Sequence, residues 1–504
     1  MKPRQAILAL VGAILIAAGG CTATSRWVYA NSSGKLAYRA LPTGDHIMDF
    51  SYAGYRGGGV AIPNVPAKIT VYPGGDDAAN IQSAIDQVSR LPLENGQRGA
   101  VLLASGTFNC DRTIFIHAGG VVLRGTGGTV LNLIGKPHVG IIAAGKAAIV
   151  EQGQPTLITE AYVPSGTTTF NVASSAGWRI GDTIQITRPV TAAWVHFMEM
   201  DNLVRNGKPQ RWLAGKIQAY RVIAGISGNA ITVTIPLSDD YDVRYLNPPG
   251  TSVVKVNISG LISEVGIEHL RIVSPPQPIQ IAAPQFNALK LNDVTDAWAR
   301  DLDIHDTINS TDVGDGSSRV TMLRIHTTHS VVTLGAALPM DFGDHGTQVL
   351  YDHCTAAGGH QYYFATFGRT QGPNVLLNCT FTGDGRVQPH QRWSTGLLID
   401  NCQADGIDLM NRGIMGSGHG WTMGWGVLWN CTAKTFVVQE PPGTENWEIG
   451  CVGTPQLQAR PFDQQPKLPP GIVESTHHRV TPRSLYLEQL RQRLGDDAVK
   501  NIGY

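Results

Sequence analysis

Short apolar runs recur along the second half of the chain, each alternating apolar and polar positions and each ending on a cysteine. They are "VLYDHC" to Cys354, "VLLNC" to Cys379, "LLIDNC" to Cys402, "VLWNC" to Cys431 and "WEIGC" to Cys451, at intervals of 25, 23, 29 and 20 residues. Upstream, "LRIH" near Ile325, "LDIH" near Ile304 and "LRIV" near Ile272 extend the register without cysteine. Such a unit is too short for a strand followed by a long helix. It suits one coil of a parallel β-helix, whose short strands stack on the next coil at ~4.8 Å. The recurring cysteine then points inward as a small apolar side chain, reduced because every rung carries one. Asn378, Asn401 and Asn430 form a neighbouring ladder at the turn.

The N-terminal half has a different rhythm. "GDDAANIQSAIDQVSRLP" from Gly75 places Ile81, Ala84, Ile85 and Val88 at helical spacing behind an acidic start that suits a helix N-terminus. Strand-like "AVLLASGTF" and "VVLRGTGGTVL" follow. About Ala161 to Asp242 breaks the register: "SAGWRIGDTIQITRP" and "YRVIAGISGNAITVTIPL" predict short antiparallel strands, and "TAAWVHFMEMDN" a loop overhanging a groove. The chain closes on "TPRSLYLEQLRQRLG", a helix in which Thr481 caps, Pro482 starts, Leu487, Leu490 and Leu494 share a face and Gly495 stops.

The arrangement "GDDxxxIQxAID … GxVLLxxGTF … VVLRGTG" resembles the N-terminal cap and first coils of the pectate-lyase superfamily, strongly over Gly75 to Leu131 and through the repeats to Gly453. The resemblance implies an all-β, right-handed parallel β-helix with an N-terminal capping helix that covers its open end. The expected organisation is a lipoprotein-like signal peptide over 1–21, a tether over 22–44 and the cap with the first coils over 45–160. A β insertion over 161–245, the main solenoid over 246–453 and a C-terminal tail with a helix over 454–504 complete it.

Composition narrows the partners. The chain has 504 residues, 58 glycines, 15% charged residues and a net charge of zero, so it exerts no global attraction on nucleic acid or anionic membranes. Lys2 and Arg4 precede an apolar stretch from Ala6 to Ala18 and then Gly19-Gly20-Cys21. That is an export signal, too short to span a bilayer. The cysteine after two small residues resembles a bacterial lipobox, although Ala18 stands where that pattern prefers leucine. The resemblance implies lipid on Cys21 and a periplasmic or cell-surface location, with membrane contact only through that anchor; the alternative is an ordinary secretory signal and a secreted chain.

Chemistry concentrates in the loops from Pro339 to Gly426. They carry Asp341, Asp344 and His345; His360, Tyr362 and Arg369; Arg386, His390, Arg392 and Trp393; and Arg412, His419, Trp421 and Trp425. The β-helix fold serves several functions, so these residues must decide. The expected activity, which the resemblance supports, is cleavage of an acidic polysaccharide by β-elimination. That needs a cation on a uronate carboxylate, a base for the C5 proton and an acid for the leaving oxygen. Arginine suits the first and histidine or tyrosine the others. No lysine lies between Lys290 and Lys434, which excludes a lysine base there. The assignment is Arg392 with Arg369 or Arg412 on the carboxylate and His390 or His345 as base. Tyr362 or another histidine, such as His419, is the acid; Trp393, Trp421 and His360 contact sugar.

Each residue also has a plain structural reading. A histidine can be hydrogen-bonded in its turn, an arginine can pair with Asp384 or Asp408, and a tryptophan can cover the solenoid. "SGHG" at Ser417 to Gly420 is similar to the Gly-His-Gly stretch of polygalacturonases, which keeps a glycoside hydrolase using Asp341 and Asp344 as the second expectation. Inverting hydrolysis needs carboxyls about 6.5–9.5 Å apart. The acidic calcium cluster of pectate lyases is not evident; "DVGDG" from Asp312 to Gly316 reads first as a solvated turn and second as a cation site. A non-catalytic glycan-binding surface protein is the third expectation, against which the irregular His, Arg and Trp loops argue.

Overall fold

The computed structural model describes residues 23–457 and 468–504. The export segment and Cys21 lie outside the described residues.

Among the described residues twenty-eight strands form one parallel system. The first ladder climbs through Ala67–Val71, Gly99–Leu103 and Val121–Gly125, then Gly266–Val273, Val294–His305 and Ser318–Thr328, and ends on Trp447–Ile449 and Ile472–Glu474. The second runs from Gly106–Cys110 and Thr129–Leu133 to Thr380–Gly383, Gln403–Leu409 and Thr432–Val438. The third holds Ile114–Ile116, Val139–Ala144, Asn287–Asn292, Thr311–Val313, Met340–Asp344, Tyr362–Thr366 and Arg386–Val387. Three ladders of parallel strands, joined by short turns, make the right-handed parallel β-helix that the sequence predicts.

The cysteine ladder is inside. Cys354, Cys379, Cys402, Cys431 and Cys451 are free and at most 2% exposed. The residue before each is left-handed: His353, Asn378, Asn401, Asn430 and Gly450 have φ of 51, 52, 54, 53 and 68°. A coil bends there, and only glycine or a short polar residue enters that region cheaply, which explains the asparagines. The amide of Asn401 donates to Asn378 over 2.5 Å, so the ladder is bonded from coil to coil. Upstream the register differs from expectation by two residues, since Ile325 pairs Leu302 and not Ile304. A two-residue slip leaves every side chain on its original face, so the apolar pattern could not detect it.

The helix Asp77–Ser89 is capped by Asp76, whose side chain accepts from the Ala79 N–H, and it buries Ile81, Ala84, Ile85 and Val88 against the first coils. A six-stranded antiparallel sheet lies within Ala148–Ser259. It is spliced between two coils that stack directly: Val122 pairs Gly266 and Val139 pairs Asn287.

Three boundaries differ from expectation, the first being the insertion, whose sheet reaches from Ala148 to Ser259 instead of over 161–245. The stretch expected to be a tether packs on the body instead, with Ala23–Thr24 pairing Val480–Thr481 and Val28 fully buried. The last long helix is Leu485–Leu494, capped by Ser484 and not Thr481. The Ser484 hydroxyl accepts from the Leu487 N–H and donates to buried Asp400 over 2.7 Å, a partner on the solenoid that no local pattern reveals. Leu485, Tyr486 and Leu490 are its buried apolar residues, while Leu494 is 48% exposed.

Candidate functional site

Where the third ladder turns into the first, consecutive coils bring four rings to one edge. Asp344 pairs Thr366, so His345 and Phe367 follow each other in register. The His390 N–H donates to the Thr366 carbonyl, and the Arg392 N–H to that of His419. His345 and Phe367 stack at 3.8 Å and 10°, Phe367 and His390 lie 5.7 Å apart, and His390 and His419 4.7 Å apart. A row of this kind follows the solenoid axis, as an extended polymer would.

Arg412 organises one end. It donates from Nη2 to the Tyr362 hydroxyl over 2.8 Å, and from Nη1 to the His390 carbonyl at 2.7 Å and to His390 Nδ1 at 3.2 Å. A guanidinium only donates, so Nδ1 accepts, and neutral His390 carries its hydrogen on Nε2. Burial, then the charge of Arg412, holds His390 well below the usual histidine range. His419 is lowered to about 3 by burial, then by Arg412, Arg392 and Arg205. Burial likewise raises the Tyr362 phenol, so it stays protonated with its hydrogen free of Arg412.

The other end carries an acid. Asp312 lies 3.6 Å from His345 Nε2 and Asp315 3.9 Å from Nδ1. Burial raises Asp312 and lowers His345, against the attraction of Asp312. Lys290 stands in register beside Asp312. Sequence reasoning set this lysine aside as a boundary and read "DVGDG" first as a solvated turn and second as a cation site; the structure turns Asp312 toward His345. Among the described residues no group of three or more His, Cys, Asp or Glu side chains is arranged to hold a metal ion.

Sequence reasoning also missed a basic hairpin. Val204–Arg205 pairs Lys208–Pro209 across Asn206-Gly207, both left-handed. Asn-Gly between paired residues is the strongest short hairpin signal, and it was there to be read. Arg205 donates to the Gly416 carbonyl, Arg369 to that of Ala214 and Arg392 to the Ser417 hydroxyl, at 2.5, 2.5 and 2.6 Å. Among the described residues none of these arginines, nor Lys208 or Arg211, forms an ion pair with a carboxylate. The stretch from Thr191 to Asn202, expected as an overhanging loop, instead forms the helix Ala192–Phe197 with Trp194 and Met198 buried, and the hairpin follows it.

Several expected contacts are corrected. Trp393 is 0% and Trp421 2% exposed, so neither offers a face to sugar. Trp393 packs on Trp194 and Trp212 and donates to Asp239, and Trp421 donates to the Met198 carbonyl; both fasten the insertion to the solenoid. Gly420, at φ 56°, lies against Trp212 with no room for a Cβ, so "SGHG" is a packing turn. His360 sits before the Tyr362–Thr366 strand, at the corner between the second and third ladders, bonded to the Gly335 carbonyl. Asp341 is bound to His329 at 2.6 Å, and Asp344 is fully buried with its carboxyl well raised. At 1% and 0% exposure neither aspartate presents its carboxyl at the surface. Arg386 pairs with Asp408 as its plain reading foresaw.

No family model and no curated protein matches the chain. Among solved structures, a tailspike of Acinetobacter baumannii bacteriophage AP22, in complex with a capsular saccharide, is 12% identical at TM-score 0.37 over 76% of this chain and 62% of that one. A tailspike of Pseudomonas phage LKA1 is 14% identical at 0.34, over 75% and 69%. A tailspike of E. coli bacteriophage HK620, in complex with a pentasaccharide, is 9% identical at 0.43, over 86% and 62%. The chain thus spans about three fifths of the first and third. The likeness is one of fold, and the chemistry rests on this chain's own side chains.

Proposed function

We propose that the protein cleaves an acidic, uronate-containing polysaccharide by β-elimination along the row from His345 to His419. The observation that carries this is Arg205, Arg369 and Arg392, held without a carboxylate partner among the described residues, around histidines kept neutral. Arginines so placed lack an anion, and a substrate carboxylate supplies one in two-point geometry. Arg392 neutralises the uronate carboxylate, which acidifies the C5 proton. His345, lowered and faced by Asp312, takes that proton. The C5–H electrons form the C4=C5 double bond, the C4–O bond breaks, and the Tyr362 hydroxyl protonates the leaving oxygen. Arg412, 2.8 Å away, stabilises the resulting phenolate. His390 donates its Nε2–H to substrate.

The test incubates the purified protein with a panel of uronate polysaccharides and follows both the ultraviolet absorbance of the unsaturated sugar and new reducing ends. Both rising together supports elimination. Reducing ends alone would move the chemistry to hydrolysis at Asp312 and Asp315, the carboxylates that face the row. Binding without cleavage would make the chain a glycan-binding protein. The reading places the chain outside the cytoplasm, held by lipid on Cys21; the mass of the mature N-terminus tests that part.

A further inference from the structure

We infer that a second, non-catalytic groove at the opposite corner, between the first and second ladders, holds the same acidic polymer. This rests on the function proposed above.

The groove has a volume of about 400 Å³ and is lined by Thr380, Gln403, Thr432, Asn401, Arg479 and Arg483, among others. Its floor is periodic. Thr380 pairs Gln403 and Gln403 pairs Thr432, so three polar side chains stand one coil apart, at ~4.8 Å, on an outward face. That spacing is close to the repeat of a sugar along an extended chain, and hydroxyl and amide groups suit sugar hydroxyls. Its wall is cationic. Arg479 is fixed by donating to Asn401 Oδ1 at 2.6 Å, the Asn430 carbonyl at 3.0 Å and the Thr432 hydroxyl at 3.2 Å, all neutral acceptors. Neither Arg479 nor Arg483 pairs with a carboxylate among the described residues. Two exposed arginines, one of them preorganised, above a ladder of polar groups describe a site for an anionic sugar. The volume falls within the range of small-molecule sites, about 300–1,000 Å³, enough for a short saccharide. The coils that carry this floor also carry His390 and His419, so one long polymer can be tethered on one side and cleaved on the other.

The experiment measures calorimetric binding of uronate hexasaccharides, from polygalacturonate and from alginate, to the full chain. Arg392→Ala is expected to leave one class of site. Adding Arg479→Ala and Arg483→Ala to it is expected to abolish that class, and Gln403→Glu, which places negative charge in the groove and keeps the side chain's length, to weaken it at least tenfold. In the otherwise wild-type chain the two arginine substitutions should leave kcat on the hexasaccharide unchanged and raise KM on long polymer severalfold. Loss of all binding in Arg392→Ala, or residual binding indifferent to the groove substitutions, overturns the inference. Arg479-dependent binding to phosphatidylglycerol vesicles without hexasaccharide binding would also overturn it, assigning the groove to a lipid headgroup. Groove-dependent binding in a chain that cleaves nothing would sink the proposed reaction and keep the groove.

Discussion

Arg412 reaches the Tyr362 hydroxyl over 2.8 Å from a position fifty residues further along the chain, two coils away. The same guanidinium holds His390, so one buried cation pulls two groups downward, with burial in His390 and against it in Tyr362. Arg412→Lys keeps a charge but loses the planar fork that spans both partners. We expect kcat/KM to fall ~100-fold, chiefly in kcat, with a native circular-dichroism spectrum. An unchanged kcat would remove Tyr362 from the acid role.

His345 is the proposed base, lowered by burial and pulled upward by Asp312. Activity should therefore hold through about pH 6.5, the unperturbed histidine value, and fade only in more acid solution. Asp312→Asn removes the negative charge that favours the imidazolium, so the acid limb of the kcat/KM profile should move to lower pH. A shift to higher pH contradicts the pairing.

Asp400, Glu445 and Glu448 are raised to about 7 by burial, and Asp240 to about 8 by burial and then Asp239. Their unfolded values lie near 4, so the native state holds extra protons from about pH 4 up to 7–8. The stability these groups contribute is full below that window and is lost as pH rises through the folded values. His345, His390 and His419, held low, act oppositely and only below about 6.5, where the unfolded chain takes up protons. Between about pH 6.5 and 8.5 the carboxyls act in the same direction as His329 and His353, whose values are raised, and the urea midpoint should fall with rising pH. A midpoint that rises there contradicts this account.

Trp393→Ala should cost about 3–5 kcal/mol, since the ring is fully buried among Trp194 and Trp212. Asn401→Val should cost about 1–2 kcal/mol from the left-handed backbone alone, at φ 54°. Urea unfolding checks both. Sugar affinity per folded molecule should stay within twofold in Trp393→Ala, which separates packing from binding.

The coils were legible because a repeat reports itself: a left-handed residue followed by a small inward cysteine ends five successive coils, three of them with asparagine. The histidine row was half legible. Loop position marked His345, His390 and His419, but ring stacking through Phe367 depends on register between coils. The tryptophans misled because an aromatic that joins an insertion to a solenoid has the composition of a sugar platform. Only burial tells them apart, as it does Trp393. Asp312 and Arg205 escaped since their partners lie 33 and 211 residues away, in contacts that no local window contains.

The most direct measurement is cleavage of the responsive polysaccharide in heavy-oxygen water, with the product ends read by mass spectrometry. Elimination at the His345–His419 row predicts an unsaturated end lighter by one water, no heavy oxygen incorporated, and loss of both products in Arg392→Ala. Heavy oxygen at the new reducing end would contradict it.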